Sequence, residues 1–218
     1  ANLLDVTMED LHDMPQQLYE GKISKLREKT QGQLVIKEYP TASAHSGHFK
    51  SLMNELALKK SFRPDVIFID YLNICASSRF KGGNISSYFY VKAIAEELRG
   101  LAVEFNVPIF SATQTTRTGY VSTDIGLEDT SESFGLPATA DFMFALISNE
   151  ELEALGQMKV KQLKNRYNDP SINRAFIIGV DRAKMRLYDV QQKAGDIVDA
   201  NQVDEKEDAY NKFSDFKL

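Results

Sequence analysis

Two short apolar runs, separated by one helix-length segment, form the clearest pattern along the chain. The first lies within residues 65–72 and ends near Asp70, whereas the second, residues 108–114, ends in the amide of Gln114. An unbroken apolar run of this length is typical of a buried parallel strand. The carboxyl ends of parallel strands meet at one edge of a sheet, where open α/β sheets bind ligands. We therefore expect Asp70 and Gln114 to face one crevice.

The segments beside these runs show helical periodicity. One set of apolar residues precedes the first run and a second set lies between the two runs: Phe49, Leu52, Met53 and Leu56, then Val91, Ile94, Leu98, Leu101 and Phe105. Spacings of three and four place each set on one side of a helix. We predict two helices that pack on the sheet and contribute to its core.

The beginning of the chain predicts a capped helix start, a longer helix and a strand. Thr7 to Asp10 fits a capping box, and residues 15–29 fit a helix with a proline in its first turn. Residues 33–39 are predicted to form a strand that Pro40 closes.

The pattern changes after Asp141. Residues 142–147 predict a buried strand, and Ser148 is placed to cap a short helix that reaches Glu151. Three further apolar runs follow with turn-forming residues between them and no long helix: 158–166, 174–180 and 185–190. Such runs indicate an antiparallel meander that extends a parallel sheet.

These elements predict one α/β domain over residues 1–190. Its mainly parallel sheet would be flanked by helices, with the antiparallel meander at its carboxyl-terminal edge. The chain has 218 residues of which 43% are hydrophobic, enough for a sizeable core. Residues 191–218 are polar and acid-rich, and we expect them to form a disordered tail.

Charge and residue usage narrow the function classes. A net charge of −5 argues against a protein that coats nucleic acid by bulk charge, so any DNA contact must come from local basic loops. The longest apolar runs are the length of strands and too short to span a membrane. The first residues lack the basic, apolar and small-residue regions of a signal peptide. Cys75 is the one cysteine, which excludes an internal disulfide, and we predict it to be a buried apolar residue.

Two histidines, His45 and His48, stand three residues apart with a glycine between them. We expect this segment to be a surface loop or a helix start, since a metal site would need nearby cysteine or acidic partners.

A group of basic residues completes the candidate chemistry. The alternating segment 160–167 brings Lys164 and Arg166 towards a loop. An acid, an amide and paired basic residues at successive strand ends are typical of a metal–phosphate site.

Four motifs in this order resemble the RecA-like motor of DnaB-type replicative helicases, particularly the branch found in T-even phages. They are Ile-Asp-Tyr-Leu at 69–72, Ser-Ala-Thr-Gln-Thr-Thr-Arg at 111–117, Asp-Thr-Ser-Glu-Ser at 129–133 before Ala140-Asp141, and Lys-Asn-Arg at 164–166. The resemblance runs from the first residues to about residue 190 and includes the segments 93–99 and 135–143. The ordered set is far more specific than any single motif.

The chain departs from the family in one important element. It contains no Gly-x-x-x-x-Gly-Lys-Ser/Thr segment, the P-loop that cradles phosphates and supplies a hydroxyl to Mg²⁺. In the family, the P-loop strand and the next strand precede the segment that resembles residues 1–6. The resemblance therefore implies the carboxyl-terminal portion of a motor, begun after its first two strands. Because the P-loop strand lies between other strands, we expect its absence to cause marginal stability or altered strand pairing.

The resemblance implies ATP hydrolysis at the interfaces of a hexameric ring that pulls single-stranded DNA through its centre. ATP and Mg²⁺ are the implied cofactors of the full-length protein, and no tight binding is expected by this chain alone. Asp70 would hold the water shell of Mg²⁺, Gln114 would sense the γ-phosphate, and Arg166, assisted by Lys164, would act on the neighbour's nucleotide. The isolated chain is expected to have no ATPase activity.

The resemblance also implies two channel loops that contact DNA. The loop after the first strand carries Arg79 and Lys81, and the second carries Arg117 and continues towards Ser131 and Glu132. Basic side chains, hydroxyls and backbone N–H groups are the usual contacts to phosphate.

The tail ends with apolar residues at the spacing of a short helix: Tyr210, Phe213, Phe216 and Leu218. We expect docking to a helicase loader, primase or polymerase here, and no contact with a membrane. The implied location is the cytoplasm of a phage-infected bacterium.

Two other function classes remain open from sequence. A catalytically inactive RecA-like module could bind DNA or protein. An unrelated hydrolase or nuclease would need a second carboxylate beside Asp70 or a Gly-x-Ser-x-Gly elbow, and the sequence has neither a close acidic pair at that strand end nor such an elbow.

Overall fold

The computed structural model describes residues 1–80, 85–115, 125–129, 135–169 and 172–191. In chain order the helices are α1 (Met8–His12), α2 (Gln16–Lys29), α3 (Ser46–Lys60), α4 (Ser87–Phe105), α5 (Gly135–Thr139) and α6 (Glu150–Ala154). The strands are β1 (Ile67–Ile69), β2 (Ile109–Ser111), β3 (Phe142–Ile147), β4 (Gln157–Asn165), β5 (Ala175–Asp181) and β6 (Arg186–Asp189). Short 3-10 turns span Asn2–Leu4, Leu72–Ile74 and Leu127–Asp129.

The described strands form two sheets. In the first, β1 and β2 are parallel, with Ile67 opposite Ile109 and Ile69 opposite Ser111. In the second, β3, β4, β5 and β6 follow one another in antiparallel order. The predicted α/β class and the antiparallel order of the meander are confirmed. Among the described residues, however, the meander forms a separate sheet with β3 and does not extend the parallel one, so the expectation of one mainly parallel sheet is wrong there. There, antiparallel ladders outnumber the single parallel one.

Helix α4 forms the centre of the larger core. Val91, Ile94, Leu98 and Leu101 are buried along one side of it, as their spacing predicts. The residue that caps the end of the helix is Asn106, whose left-handed conformation (φ 52°, ψ 49°) turns the chain back towards β2. Burying each of these side chains contributes about 1.5–3 kcal/mol, so this one helix face supplies much of the stabilisation of the domain.

The partners of α4 come from elements before and after it. Leu72, Cys75 and Leu136 join its buried face in one cluster. Met53 of α3 and Val107 pack with Leu101 in an adjoining cluster. These contacts place α3, α4 and α5 around the two-stranded parallel sheet.

The strands are more exposed than their apolar sequences predict. The run at 65–72 contains only three residues of strand, and Phe68 at its centre is 73% exposed and stacks on Phe110 of β2. In β3, Ala145 and Ile147 are buried, whereas Phe142 lies on an exposed side. The prediction of buried strands is therefore wrong for one face of each of these strands. Within the described residues, one face of each sheet lacks a covering layer.

Two local predictions also need correction. Residues 33–39 form no strand, and Leu34 and Ile36 are exposed, because no described strand pairs with this segment. The short helix after β3 is capped by Asn149, whose side chain accepts a hydrogen bond from the Leu152 N–H, and not by Ser148.

Helix starts at the beginning of the chain follow the prediction. Thr7 and Asp10 exchange both bonds of a capping box at the start of α1, and α2 begins directly after Pro15. The segment is joined to the β5–β6 turn, where Asp5 pairs with Lys184 at 2.8 Å and with Arg186 at 3.1 Å.

Among the described residues, no helix has the length and apolar character needed to cross a membrane. The predicted tail lies outside these residues except for Gln191.

Ile94 offers a direct test of the core around α4. It is 1% exposed, so Ile94→Ala should lower the free energy of unfolding by about 2–5 kcal/mol through lost burial and a residual cavity. Urea denaturation followed by circular dichroism measures the change. Val103→Ala is the control, because Val103 is 74% exposed on the same helix and should change stability by less than about 0.5 kcal/mol. Equal effects of the two substitutions would contradict this account of the core.

Candidate functional site

The parallel pairing of β1 and β2 brings the segments of Asp70 and Gln114 together. Ile69 is opposite Ser111, so the residues that follow each strand leave the sheet at the same edge. The backbone N–H of Leu72 donates to the Ala112 carbonyl at 3.1 Å, which continues the alignment past the strands. Both Asp70 and Gln114 are exposed.

Side-chain hydrogen bonds then fix the two strand ends to each other. The Gln114 amide donates to the Tyr71 hydroxyl oxygen at 3.1 Å, and the Thr113 hydroxyl donates to the Asn73 amide oxygen at 2.9 Å. The Ser111 hydroxyl donates to the Ile69 carbonyl at 2.8 Å. A cis peptide bond joins Asp70 to Tyr71. The Gln114 amide is thus held by the residue next to Asp70.

This edge suits a hydrated cation better than a direct metal centre. No group of three or more metal-ligating side chains occurs among the described residues. One exposed carboxylate is a fitting partner for Mg²⁺ that keeps most of its water, because Mg²⁺ dehydrates reluctantly and is usually held by one or two carboxylates and phosphates. The residues present therefore fit outer-shell contact to Mg²⁺, but they include no P-loop to hold phosphates.

Lys164 and Arg166 lie at the end of β4 and are held within the chain. The Lys164 ammonium donates to the Pro137 carbonyl at 2.6 Å. The Arg166 guanidinium pairs with the Asp141 carboxylate at 3.0 Å, and the Arg166 N–H donates to the Asp141 carbonyl. Arg99 of α4 pairs with the other oxygen of Asp141 at 2.9 Å.

Asp141 is therefore shared between two guanidinium groups. Partial burial raises its pKa, but hydrogen bonds from Arg99 and Arg166 outweigh that effect and keep the pKa below its usual range. The carboxylate stays ionised and orients Arg166, whose side chain is otherwise 58% exposed.

The structure does not unite the two groups of predicted residues into one cluster. Within the described parts of the chain, the hydrogen bonds and ion pairs of Lys164 and Arg166 go to Pro137 and Asp141, and none joins Asp70 or Gln114. The acid–amide edge belongs to the first sheet and the basic pair to the second.

The loop after β1 is organised by Glu97 on α4. Its carboxylate accepts hydrogen bonds from the hydroxyls of Ser46, Ser77 and Ser78 at 2.6–2.8 Å and from the Ser78 N–H at 2.9 Å. Arg79 leads out of this cluster, and its guanidinium pairs with the Glu96 carboxylate at 2.5 Å.

These bonds explain the acidity of Glu97. Partial burial alone would raise its pKa, but the hydroxyls of Ser77 and Ser78, the Ser78 N–H and the Ser46 hydroxyl together lower the pKa to about 2. The ionised carboxylate of Glu97 is therefore the form that accepts these hydrogen bonds from the loop.

The remaining predicted DNA residues, Lys81, Arg117, Ser131 and Glu132, lie outside the described residues.

The two minor sequence features have structural roles. Cys75 is buried with its Sγ 3.6 Å from the Tyr71 carbonyl oxygen, and burial raises the pKa of the thiol. His45 caps α3 by accepting a hydrogen bond from the Gly47 N–H, and His48 Nδ1 accepts from the His45 N–H. This confirms the predicted helix start.

Tyr71, Glu97 and Arg99 were not predicted from the sequence as partners of the candidate residues. Each acts across a separation of 18 to 43 positions, as in Glu97 with Arg79 and Tyr71 with Gln114. The one local signal is that Glu97 and Arg99 flank Leu98, which places charged groups at the border of a buried helix face.

No family model matches the chain. In sequence it is similar to the DnaB-like replicative helicase of Enterobacteria phage T4, with 41% identity over 220 residues. The match includes 97% of this chain and 46% of the relative, so the chain spans about half the length of the curated relative. The predicted resemblance is thereby confirmed.

Two solved structures share the fold. The ATPase domain of G40P matches with a TM-score of 0.70 at 17% identity, over 87% of this chain and 68% of that one. A DnaB-like replicative helicase studied with its interactions with primase matches with a TM-score of 0.69 at 16% identity, over 87% of this chain and 46% of that one. At such low identities these similarities support the fold alone.

Glu97 gives the loop a testable dependence on pH. Its pKa of about 2 in the folded chain lies below the unfolded value of about 4.3, so its stabilisation is complete above pH 5 and is lost as the pH falls towards 2. Glu97→Gln should therefore flatten the decline of unfolding free energy over this interval, by an amount on the order of 1–2 kcal/mol after solvent screening. Urea titrations at several pH values measure it.

Glu104→Gln is the matched control for that experiment. Glu104 lies on the same helix in an exposed pair with Lys50. If both variants kept the pH slope of the unaltered chain, the hydrogen bonds at Glu97 would not stabilise the folded loop.

Proposed function

We propose that this chain supplies part of an ATP-dependent motor that moves on single-stranded DNA, because it is 41% identical to about half the length of a DnaB-like replicative helicase. The parent protein would act as a ring during phage-type DNA replication, in the cytoplasm of an infected bacterium. The observation that carries the proposal is the paired edge of β1 and β2, where the segments of Asp70 and Gln114 leave side by side.

The acid and the amide have distinct roles in this proposal. The Asp70 carboxylate would hold the water shell of Mg²⁺, which neutralises charge on the phosphates of ATP when bound. The Gln114 amide would contact the γ-phosphate. Its hydrogen bond to Tyr71 supports this role, because a change at the nucleotide would reach the strand end and the chain segment that follows.

Arg166, with Lys164, would act on the nucleotide of a neighbouring subunit. A guanidinium placed at the γ-phosphate stabilises charge that develops during phosphoryl transfer. Two observations support this. Asp141 orients Arg166 while leaving much of it exposed, and the basic pair lies at the end of a strand of the second sheet, whereas Asp70 follows a strand of the first. Head-to-tail interfaces of this kind close into rings, here a hexamer.

Single-stranded DNA would be contacted by the loop after β1, through Arg79 and Lys81, and by the segment after Gln114 with Arg117, Ser131 and Glu132. The exposed Arg79 at the start of the first loop supports that role. With a net charge of −5, the chain needs such local basic groups to bind phosphate.

ATP binding needs more than this chain supplies. Its sequence has no P-loop, so we propose that the chain alone binds ATP and Mg²⁺ weakly and does not hydrolyse ATP. Contacts with a loader, primase or polymerase would use the tail, residues 191–218. One structurally similar helicase was studied with primase, which is consistent with a partner of that kind.

An ATPase assay tests the proposal. The complete gene product should hydrolyse ATP faster when single-stranded DNA is added, and the 218-residue chain should show no activity. In the complete product, Asp70→Ala should lower kcat at least about 100-fold, because Mg²⁺ loses its protein partner. Arg166→Ala should lower kcat by about 10³-fold or more, as expected of a group that stabilises transition-state charge.

Arg182→Ala is the control for general loss of positive charge. Arg182 pairs with Glu153 on the surface and has no proposed part in the site, so its removal should leave kcat within about twofold. Full activity of the Asp70→Ala and Arg166→Ala variants would overturn the proposed roles. An inactive complete product would favour a non-catalytic binding module.

A further inference from the structure

We infer that Glu97 is the positioning residue of the loop that contacts DNA, and that Glu96 is the exchangeable counterion of Arg79 when DNA is absent. This inference rests on the proposed function. The two adjacent carboxylates on α4 have different roles. Glu97 holds the backbone of the loop in place, whereas Glu96 pairs with the Arg79 side chain, which can exchange this partner for a DNA phosphate.

The hydrogen bonds at Glu97 fix the loop after β1 to helix α4. Its two carboxylate oxygens accept hydrogen bonds from three serine hydroxyls and from the backbone N–H groups of Ser78 and Arg79, and these donors come from two separate segments. Ser46 lies at the start of α3, whereas Ser77 and Ser78 belong to the loop after β1. One side chain thereby joins α3 and the loop to α4.

Ser77 connects the hydrogen bonds of Glu97 to the buried part of the domain. It is 5% exposed, its hydroxyl donates to Glu97 at 2.6 Å, and its N–H donates to the Tyr90 hydroxyl oxygen at 3.1 Å. The Arg79 N–H in turn donates to the Ser77 hydroxyl oxygen at 3.2 Å. The direction in which the chain carries Arg79 away from α4 is therefore set by Glu97 and its partners.

The contact at Glu96 is of a different kind. It is an ion pair between exposed side chains, with Arg79 50% and Glu96 38% exposed, and Glu96 has a second cation, Lys92, at 3.8 Å. Exposed ion pairs of this type contribute little to stability, so Arg79 can exchange its carboxylate partner for a phosphate at low cost. When a phosphate takes Arg79, Glu96 keeps Lys92 as its partner, so no carboxylate is left unpaired.

Glu97 and Glu96 therefore have opposite expected effects on DNA affinity. Without Glu97, the start of the loop is no longer held on α4, and Arg79 loses its fixed approach to phosphate. Without Glu96, Arg79 has no competing anion and DNA binding gains.

Binding of fluorescent oligo(dT) to the complete gene product, measured by anisotropy over a series of salt concentrations, tests the inference. Arg79→Ala should weaken binding about two- to tenfold and reduce the slope of log affinity against log salt by about 0.7, the value for one phosphate contact on a single strand. Glu97→Gln should reproduce both changes. The double variant should show no further loss, because both substitutions remove the same contact.

Glu96→Gln should tighten binding about two- to fivefold, the gain expected from releasing an exposed ion pair. This gain should disappear when Arg79 is already alanine. Glu104→Gln removes the same charge from the same helix beside Lys50 and serves as the matched control, with affinity and slope unchanged. Circular dichroism confirms that each variant retains its fold.

The outcomes separate this inference from the proposed function. If the unaltered protein binds oligo(dT) but Glu97→Gln keeps the full salt slope, the positioning role is wrong while the motor proposal stands. If Glu96→Gln still tightens DNA binding when Arg79 is alanine, Glu96 acts only through its charge. That result would overturn its role as the counterion of Arg79. No binding by the unaltered protein would overturn both the inference and the proposed function.

Discussion

The burial of one face of α4 is the interaction on which the rest of the described structure depends. Val91, Ile94, Leu98 and Leu101 fix the helix beneath the first sheet and beside α3 and α5. The borders of that same face carry the polar groups that reach outward: Glu97 to the loop after β1, and Arg99 to Asp141. A helix held so firmly by its apolar side can place charged side chains with little freedom, which is what a site built from separate elements requires.

The elements that were predictable from sequence are those in which the spacing of apolar residues repeats over several turns or a local motif marks the start. The stripes of α3 and α4 repeat over several turns, and the capping box at Thr7 is a local motif, so both were predictable. Strands of three residues carry no such period. The run at β1 therefore indicated a strand and its parallel neighbour but could not show that Phe68 would face solvent. Residues 33–39 had strand-like composition, yet a strand also needs a partner to complete its hydrogen bonds.

The candidate site was predictable in part for a similar reason. Asp70 and Gln114 followed from the rule that parallel strands end together. The contacts made by Tyr71, Glu97 and Asp141 join segments far apart in sequence, and only a folded chain reveals them. These contacts change the account of the basic residues, since Arg166 and Arg79 each have a carboxylate partner within the chain. Under the proposed function, phosphate would bind these guanidinium groups in exchange for those carboxylate partners.

We propose that Asp70 acts in its own subunit and that Arg166 acts on the nucleotide of the neighbour. Mixing the Asp70→Ala and Arg166→Ala variants of the complete gene product tests it most directly, with ATPase activity as the readout. In a mixed ring, some interfaces would combine an intact Asp70 from one subunit with an intact Arg166 from the next. We expect the mixture to hydrolyse ATP well above either variant alone. A mixture as inactive as the two variants measured separately, under conditions where rings assemble, would contradict the account.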